Sequence, residues 1–230
     1  MTEHSRTDTG PDGFARAHAT VRRLLSDCAW HAEQSHQTLA RYLTEEAAEF
    51  LDALARAETD GTSEVAAELG DVLYQVLLHA SIAERDSEGY SLDSVAHTLA
   101  DKLIARHPHV FGERGAMTAA ELDANWEHLK AGAAGQKRGD RSVFEGIPEA
   151  MPTLAKATKV VDRARRAKQL DALPGAVEEN SEAGTVTEDS IARELFAAVR
   201  KANANGIDPD LALRKLLAAH ISNVDEQDVE

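Results

Sequence analysis

Cysteine is almost absent from this chain of 230 residues, and aromatic residues are scarce. The single cysteine, Cys28, has no partner for an intrachain disulfide, and zinc-finger sites that combine several Cys and His ligands are excluded. Aromatic residues make up only 4% of the chain, and 14 glycines and 6 prolines leave few turn signals. β-Sandwiches and β-barrels need many turns and many β-branched strands. The composition therefore favours a helical protein.

Long apolar runs are missing as well. No stretch approaches the ~18 consecutive apolar residues that a membrane-spanning helix needs. The first residues, MTEHSRTDTGPDG, lack the apolar core of a secretory signal. These absences predict a cytoplasmic protein that has no membrane partner.

Basic residues are outnumbered, because 25 Lys and Arg against 40 Asp and Glu give a net charge of −15. That charge repels a phosphate backbone and argues against stable nucleic-acid binding. A smaller phosphate-bearing ligand would need a locally positive site. Hydrophobic residues still make up 43% of the chain, which is enough for a packed core.

Apolar residues recur at intervals of three and four along most of the chain, which predicts an all-α helical bundle. The predicted helices cover about 14–25, 39–58, 64–85, 92–106, a stretch beginning near 118, 154–170, 191–205 and 209–220. Turn-forming or polar residues at 27–35, 60–62 and 132–140 predict connections.

Acidic residues form two spaced motifs on the second and third long helices. Glu45, Glu46 and Glu49 make E-E-x-x-E, and Glu68 and Asp71 make E-x-x-D. Residues three apart share one face of a helix. The short turn between the helices makes them antiparallel neighbours, so the two acidic faces are expected to meet.

A cluster of four carboxylates is unfavourable unless something neutralises it. A donor set of carboxylate oxygens without His or Cys suits Mg²⁺ or Mn²⁺, and protein-bound Mg²⁺ commonly contacts substrate phosphates. The alternative is a solvated helix face, which is common in a chain with 40 acids. Gly70, beside Asp71, lowers helix stability by about 1 kcal/mol relative to Ala. Its presence favours a role in the close approach of another helix or in access for a ligand.

Six segments in order resemble one known family. They are C-A-W-H-A-E-Q at 28–34, L-T-E-E-A-A-E-F-L-D-A at 43–53, E-L-G-D-V-L-Y-Q-V at 68–76, D-K-L-I-A-R-H-P-H-V-F at 101–111, N-W-E-H-L-K at 125–130 and G-I-P-E-A-M-P-T-L-A-K-A at 146–157. Together they resemble the MazG nucleoside triphosphate pyrophosphohydrolases, which belong to the all-α NTP pyrophosphatase superfamily. The resemblance covers about residues 14–170.

The resemblance implies an activity, a cofactor and an assembly. It implies that a nucleoside triphosphate is hydrolysed between its α and β phosphates, with Mg²⁺, by a homodimer that clears unwanted nucleotides of several bases. Carried onto this chain, the metal ligands are Glu46, Glu49, Glu68 and Asp71. Glu45 is assigned to orienting or deprotonating the attacking water.

The resemblance also implies substrate contacts. Lys102 and Arg106 lie four apart on one predicted helix and are expected to contact the triphosphate, with Lys130 as a further candidate. An ordinary solvated face is the alternative for these basic residues.

Both tryptophans are candidate nucleotide contacts. Trp126 is expected to pack on the base or the ribose, and Trp30 lies in a segment that the family uses near the nucleotide. Core filling is the alternative for each indole. This chain has Ala29 and His31 where the family usually has the Pro and Asp of C-P-W-D, which affects base selectivity more than catalysis.

The sequence predicts five segments in order. They are a disordered tail at 1–13, a catalytic helical domain at 14–170, an acidic linker at 171–188, a degenerate remnant of a second MazG-like domain at 189–222 and an acidic tail at 223–230. In the remnant, Ser190 and Arg193 occupy the E-x-x-D positions, so no catalysis is expected there.

Two alternative functions stay open at this point. One is a narrow pyrophosphatase for dUTP or dCTP. The other is a regulatory nucleotide-binding protein without catalysis, which the intact acidic motifs argue against.

Overall fold

A computed structural model describes residues 12–113, 115–133, 142–174 and 187–227. The predicted tail at 1–13 falls almost entirely outside these ranges, as do most of the predicted connection at 132–140 and of the linker at 171–188. The described residues form helices and turns, with no β-strand among them. The all-α prediction is therefore confirmed.

Helices follow one another along the described ranges. They are α1 Gly13–Asp27, α2 Ala29–Ala32, α3 His36–Asp60, α4 Ser63–Arg85, α5 Leu92–Arg106, α6 Pro108–Phe111, α7 Ala119–Ala133, α8 Thr153–Arg166, a 3₁₀ turn at Leu170–Ala172, α9 Glu188–Ala204 and α10 Pro209–Gln227. None of the described helices is long and apolar enough to cross a membrane.

Most helix positions agree with the sequence pattern, but several ends differ. The helices α2 and α6 each have four residues, too few for a periodic pattern to predict. Helix α10 continues to Gln227, beyond the predicted end at 220. Helix α8 stops at Arg166, before the predicted end at 170, because Lys168 adopts a positive φ of 57°.

The long acidic helix α3 begins earlier than predicted because its first turn is capped. The Thr38 backbone N–H donates to Ser35 Oγ at 3.3 Å, and the Ser35 backbone N–H donates to Thr38 Oγ1 at 2.9 Å. This reciprocal capping box satisfies two backbone donors at the helix start. At the other end, Gly61 adopts a φ of 85°, a conformation that favours glycine, and the chain turns back into α4.

The described chain divides into two compact units, one up to Leu99 and one from Ala100 onward. The division falls within α5, whereas the sequence pattern divides the chain at 170. The predicted catalytic domain and remnant stay predictions.

In the first unit, α4 packs against both α3 and α1. Their shared core contains fully buried leucine and isoleucine side chains. These are Leu39, Leu77, Leu78 and Ile82. Burial of a side chain of this size contributes about 1.5–3 kcal/mol, so this core holds the α3–α4 hairpin in register.

The first half of α4 departs from the prediction. The helical spacing of the apolar residues in α4 predicts that Leu69, Leu73 and Val76 face the core, but they are 53%, 37% and 43% exposed. Only the later part of α4 lies between α1 and α3, and there seven residues are buried. The apolar stripe of α4 is therefore longer than the core that covers it.

A pair of histidines joins the start of α3 to α4. The rings of His36 and His79 are stacked with centroids 4.9 Å apart, and their Nδ1 atoms lie 2.6 Å apart. His36 Nε2 lies 3.0 Å from the Glu88 carboxylate, which can only accept, so His36 donates there, and the proton between the two Nδ1 atoms belongs to either ring. His79 Nε2 is buried and has no hydrogen-bond partner among the described residues.

This arrangement predicts a loss of stability in mild acid. Burial, followed by the charge of His36, lowers the pKa of His79 below its usual 6.5. The unfolded chain therefore binds a proton at His79 more readily than the folded chain does. The stability that neutral His79 contributes is present above pH 6.5 and is lost as the pH falls through the lowered pKa. We expect His79→Gln to reduce the drop in urea midpoint between about pH 7.5 and about pH 5.5.

The matched control is His97→Gln, because His97 is exposed and its Nε2 lies 3.5 Å from Asp93 on its own helix. Its pH dependence should match that of the unmodified protein. An unchanged pH dependence in His79→Gln would contradict the assignment of this stability loss to His79.

In the second unit, α8 packs against α7, α9 and α10. Val161, Ala164 and Val199 are fully buried there. Asp123 on α7 accepts from Arg165 at 2.7 Å and from Arg166 at 2.9 Å, which ties α7 to α8.

Candidate active site

Three of the four carboxylates that the sequence predicts to meet lie together on α3 and α4. Glu46, Glu68 and Asp71 each offer a carboxylate oxygen, and these three oxygens all lie within 4.8 Å of one another. Glu46 and Glu68 are half-buried, and Asp71 is exposed. Within the described ranges, this is the one group of three His, Cys, Asp or Glu residues with the proximity of metal ligands.

Mutual repulsion makes the ionised cluster unfavourable. Partial burial, and then the charges of Asp71 and Glu49, raise the pKa of Glu46. Partial burial, and then the charges of Glu49 and Asp71, raise the pKa of Glu68. Glu49 itself is exposed and lies outside the closest group of three, but its charge acts on both neighbours.

One oxygen of the cluster is left without a partner. Glu68 Oε2 is buried and accepts no hydrogen bond from any described residue. A buried carboxylate oxygen without a donor is costly. Converging carboxylate oxygens with unmet capacity form the donor set that hard divalent cations prefer. The residues present therefore fit such an ion.

Gln75 belongs to this site, although the sequence pattern did not single it out. Its side chain is buried, with only 2% exposed, and its Nε2 donates to Glu46 Oε1 at 3.4 Å. Its own Oε1 is buried and has no hydrogen-bond partner among the described residues. The signal that could have identified Gln75 from the sequence is its position four residues after Asp71, which places both residues on one helix face.

An aromatic group lies on the same unit as the carboxylates. The segment at 27–35, predicted as a connection, contains the short helix α2, and this helix carries Trp30 and His31. Tyr74 on α4 contacts His31, with its hydroxyl oxygen 2.6 Å from His31 Nε2. Trp30 is 48% exposed, so it is not the core residue that the alternative interpretation requires.

Glu45 is not among the clustered carboxylates. It is exposed on α3, one position before Glu46, and therefore turned about 100° away around the helix. Its role in orienting water stays a prediction.

The other predicted substrate residues belong to the second unit. Lys102 on α5 is exposed, whereas Arg106 is half-buried and its Nε is buried with no hydrogen-bond partner among the described residues. Trp126 on α7 is half-buried and lies 5.9 Å from the ring of His107. The side chain of Lys130 lies outside the described residues. Within this unit, Arg106 on α5 and Trp126 on α7 therefore both lie near His107.

Comparison with known proteins identifies the same region. Residues 34–111 match the family model described as the MazG nucleotide pyrophosphohydrolase domain. This range contains the clustered carboxylates, Gln75, Lys102 and Arg106, while both tryptophans lie outside it.

Similar proteins extend the match over most of the chain. An uncharacterised 26.1 kDa protein of Streptomyces cacaoi is 40% identical over 200 residues, which is 86% of this chain and 75% of that protein. The nucleoside triphosphate pyrophosphohydrolase/pyrophosphatase MazG of Thermotoga maritima is 33% identical over 203 residues, 84% of this chain and 76% of that protein.

A shorter match covers the nucleoside triphosphate pyrophosphohydrolase of Escherichia coli strain K12. It is 36% identical over 148 residues, 63% of this chain and 54% of that protein, so the match spans about half of that relative. These matches agree with the geometry of α3 and α4 and with the motifs quoted from the sequence. This chain belongs to the MazG family of nucleotide pyrophosphohydrolases.

Proposed function

We propose that this protein hydrolyses nucleoside triphosphates to a monophosphate and diphosphate in a reaction that depends on Mg²⁺. The observation that carries this proposal is the trio of carboxylate oxygens within 4.8 Å of one another, in which Glu68 has a buried oxygen with no hydrogen-bond partner in the described part of the chain. The family of the chain supports the reaction class. The names of the Thermotoga and Escherichia relatives state the same activity for those proteins.

Four carboxylates would hold the metal ion. They are Glu46, Glu49, Glu68 and Asp71, with Mn²⁺ as a possible substitute for Mg²⁺. When bound, such an ion neutralises phosphate charge and lowers the pKa of a coordinated water. Gln75 holds the carboxylate of Glu46 in place through the hydrogen bond from its amide.

The reaction is a single in-line displacement at phosphorus. The oxygen of water forms a bond to the α-phosphorus, and the bond from that phosphorus to the α–β bridging oxygen breaks. Glu45 orients the water or accepts its proton, and the bridging oxygen leaves with the diphosphate. Lys102 and Arg106 stabilise the charge that develops on this leaving group.

The basic pair on α5 predicts a binding defect. Lys102→Ala is expected to raise KM for ATP by about tenfold or more, because a charge-assisted hydrogen bond is worth about 1.5–3 kcal/mol. Steady-state kinetics on the full chain measure this change. Lys201→Ala on the exposed surface of α9 removes the same charge elsewhere and should leave KM unchanged. Equal values of both kcat and KM for the two variants would exclude Lys102 from the triphosphate site.

The base range of the enzyme is proposed to be broad. Aromatic stacking tolerates any base, and both Trp30 and Trp126 keep part of their surface accessible. Such breadth suits the clearing of non-standard nucleotides in the cytoplasm, where we propose that the protein acts.

A panel of ribo- and deoxynucleoside triphosphates tests activity and breadth together. Each is incubated with the protein and Mg²⁺, and diphosphate and orthophosphate are measured separately. Diphosphate with a monophosphate from several bases is the expected result. Turnover of dUTP or dCTP alone would favour the narrow alternative. Binding without any product would favour a regulatory nucleotide-binding protein and overturn the proposal.

We also propose a homodimer. Leu69, Leu73 and Val76 form an exposed apolar stripe on α4, and Val95 and Leu99 on α5 are 40% and 47% exposed. A second copy of the chain would remove this surface from water. A monomeric mass by light scattering would contradict this assembly.

The C-terminal helices are proposed to be non-catalytic. At the E-x-x-D positions, Ser190 Oγ donates to the Thr187 backbone carbonyl at 2.9 Å, and Arg193 Nε donates to Asp189 at 2.7 Å. Both contacts are local to α9, and neither residue offers a carboxylate to a metal. This supports one catalytic set of acids in the chain.

A further inference from the structure

A cavity of about 250 Å³ lies between α1 and α4. Charged and hydroxyl side chains make up most of its wall, which consists of Arg22, Leu25 and Ser26 on α1 and of Ser81, Glu84 and Arg85 on α4. Ser81 follows Asp71 by ten positions on α4, which places it about 15 Å further along the helix axis. The cavity is therefore separate from the acids that we assign to the reaction.

One polar group in the wall of this cavity has no partner. Ser81 is only 3% exposed, and its hydroxyl oxygen is buried without a hydrogen-bond partner among the described residues. A helical serine can donate to the backbone carbonyl one turn earlier, but Ser81 makes no such bond. An unpaired buried hydroxyl is costly. The cavity is several times larger than the ~30 Å³ that one water occupies, so it has room for a small molecule that pairs with Ser81.

Two charged groups of the wall also keep unused hydrogen-bonding capacity. Arg22 Nε lies 3.9 Å from Glu84 Oε2, which is too far for a hydrogen bond, and 64% of the Arg22 side chain is exposed. Glu84 Oε1 accepts from the Leu92 backbone N–H at 3.3 Å, so Oε2 is the oxygen that is left for a ligand. The wall therefore presents a cation and an anion side by side.

The second arginine of the wall is already engaged. Arg85 donates to the Asp86 carboxylate at 2.7 and 2.9 Å and to the backbone carbonyls of Ala32 and Gln34 at 3.0 and 2.8 Å. Ser26 Oγ donates to a backbone carbonyl of its own helix at 3.0 Å. The charges that face a ligand are thus those of Arg22 and Glu84, which sum to zero. This balance disfavours phosphate and other multiply charged anions.

We propose that this cavity binds a small zwitterion, with α-amino acids as the ligand class. The ligand carboxylate accepts from Arg22 and Ser81, and the ligand ammonium donates to Glu84 Oε2. The 3.9 Å between Arg22 and Glu84 suits two opposite charges that a single carbon separates. Leu25, which is 6% exposed, provides an apolar wall for a small side chain. None of the described residues that line the cavity is aromatic, which argues against a nucleobase.

Calorimetric titration of the full chain with glycine, L-alanine and L-serine at neutral pH tests this site without any nucleotide. Acetate and methylammonium each carry one half of the zwitterion and are the comparison probes. We expect at least one amino acid to bind and to raise the unfolding temperature. Each half should bind at least about tenfold more weakly, because it lacks one set of charge-assisted hydrogen bonds. Tighter binding of inorganic phosphate than of every amino acid would overturn the proposal in favour of an anion site.

Arg22→Gln and Ser81→Ala are the key variants, and each should weaken amino-acid binding by about tenfold or more. Because the Ser81 hydroxyl has no partner among the described residues, Ser81→Ala should not lower the unfolding temperature of the ligand-free protein. Arg23→Gln is the matched control. Arg23 is the next residue on α1, lies 3.1 Å from Asp27 and does not line the cavity. Its substitution should leave binding unchanged.

Two results would overturn the proposal. One is no binding of any of the three amino acids to the unmodified protein. The other is binding that stays equally tight in Arg22→Gln and Ser81→Ala, because the ligand would then lie elsewhere. Diphosphate release is assayed separately and reports on the proposed function alone. Its absence in a protein that binds an amino acid would contradict that function and leave this site intact.

Discussion

Asp71→Asn is expected to lower the rate of diphosphate release by at least about a hundredfold, the scale on which removal of one electrostatic contact to a transition state acts. Asp71 is one of the three carboxylates whose oxygens lie within 4.8 Å of one another. Asparagine has nearly the same shape but removes the charge that would bind the divalent ion. The measurement is kcat for ATP with saturating Mg²⁺, alongside circular dichroism.

The helical signal should be unchanged, because Asp71 is exposed and is not part of the buried core. Asp93→Asn is the matched control, since Asp93 is also an exposed helical aspartate and lies 3.5 Å from His97 on the same helix. Its kcat should equal that of the unmodified protein. A rate for Asp71→Asn close to this control would remove the acidic cluster from the reaction.

Glu68→Gln is expected to have opposite effects on stability with and without metal. The pKa of Glu68 is raised above its usual 4.5, so the folded state disfavours the ionised form, and stability declines as the pH rises from 4.5 through the raised pKa. At neutral pH and with a chelator present, the uncharged glutamine removes this repulsion. The variant should therefore unfold at a higher temperature than the unmodified protein.

Added Mg²⁺ should reverse this order. An ion that binds only the folded state at about a hundred times its Kd adds about 2.7 kcal/mol to the free energy of unfolding. The unmodified protein should gain such an increment, and Glu68→Gln should gain much less. Glu194→Gln, an exposed change on α9, should behave like the unmodified protein in both conditions. A full Mg²⁺ increment in Glu68→Gln would show that the ion binds elsewhere.

The sequence predicted the acidic cluster because its cause is local. The spacing of three places Glu68 and Asp71 on one helix face, and a short turn returns α4 alongside α3. Other contacts in the same unit could not be predicted in this way. His31 and Tyr74 are separated by 43 positions in the chain, as are His36 and His79. No spacing rule relates residues that far apart.

The sequence also did not predict that Gln75 belongs to the site, because of its residue type. Gln75 carries no charge and lies within the apolar stretch of α4, so its pattern resembles that of a core position. Its hydrogen bond to Glu46 at 3.4 Å is visible only once α3 lies against α4.

The helical periodicity predicts which face of α4 is apolar, but it does not predict what covers that face. Leu77 and Leu78 are 1% exposed between α1 and α3, whereas Leu69 on the same helix is 53% exposed. The hydrophobic pattern is the same for a face that is buried within one chain and for a face that a second chain covers. Sequence alone therefore placed Leu69 in the core incorrectly.

The central claim, that the acids of α3 and α4 hold the divalent ion of the reaction, is tested most directly by counting bound Mn²⁺. Electron paramagnetic resonance measures free Mn²⁺ during titration of the unmodified protein and of Asp71→Asn, each without nucleotide, because a triphosphate itself binds Mn²⁺. We predict saturable Mn²⁺ binding to the unmodified protein and its loss in Asp71→Asn. Equal Mn²⁺ binding by both proteins would contradict the assignment of the site.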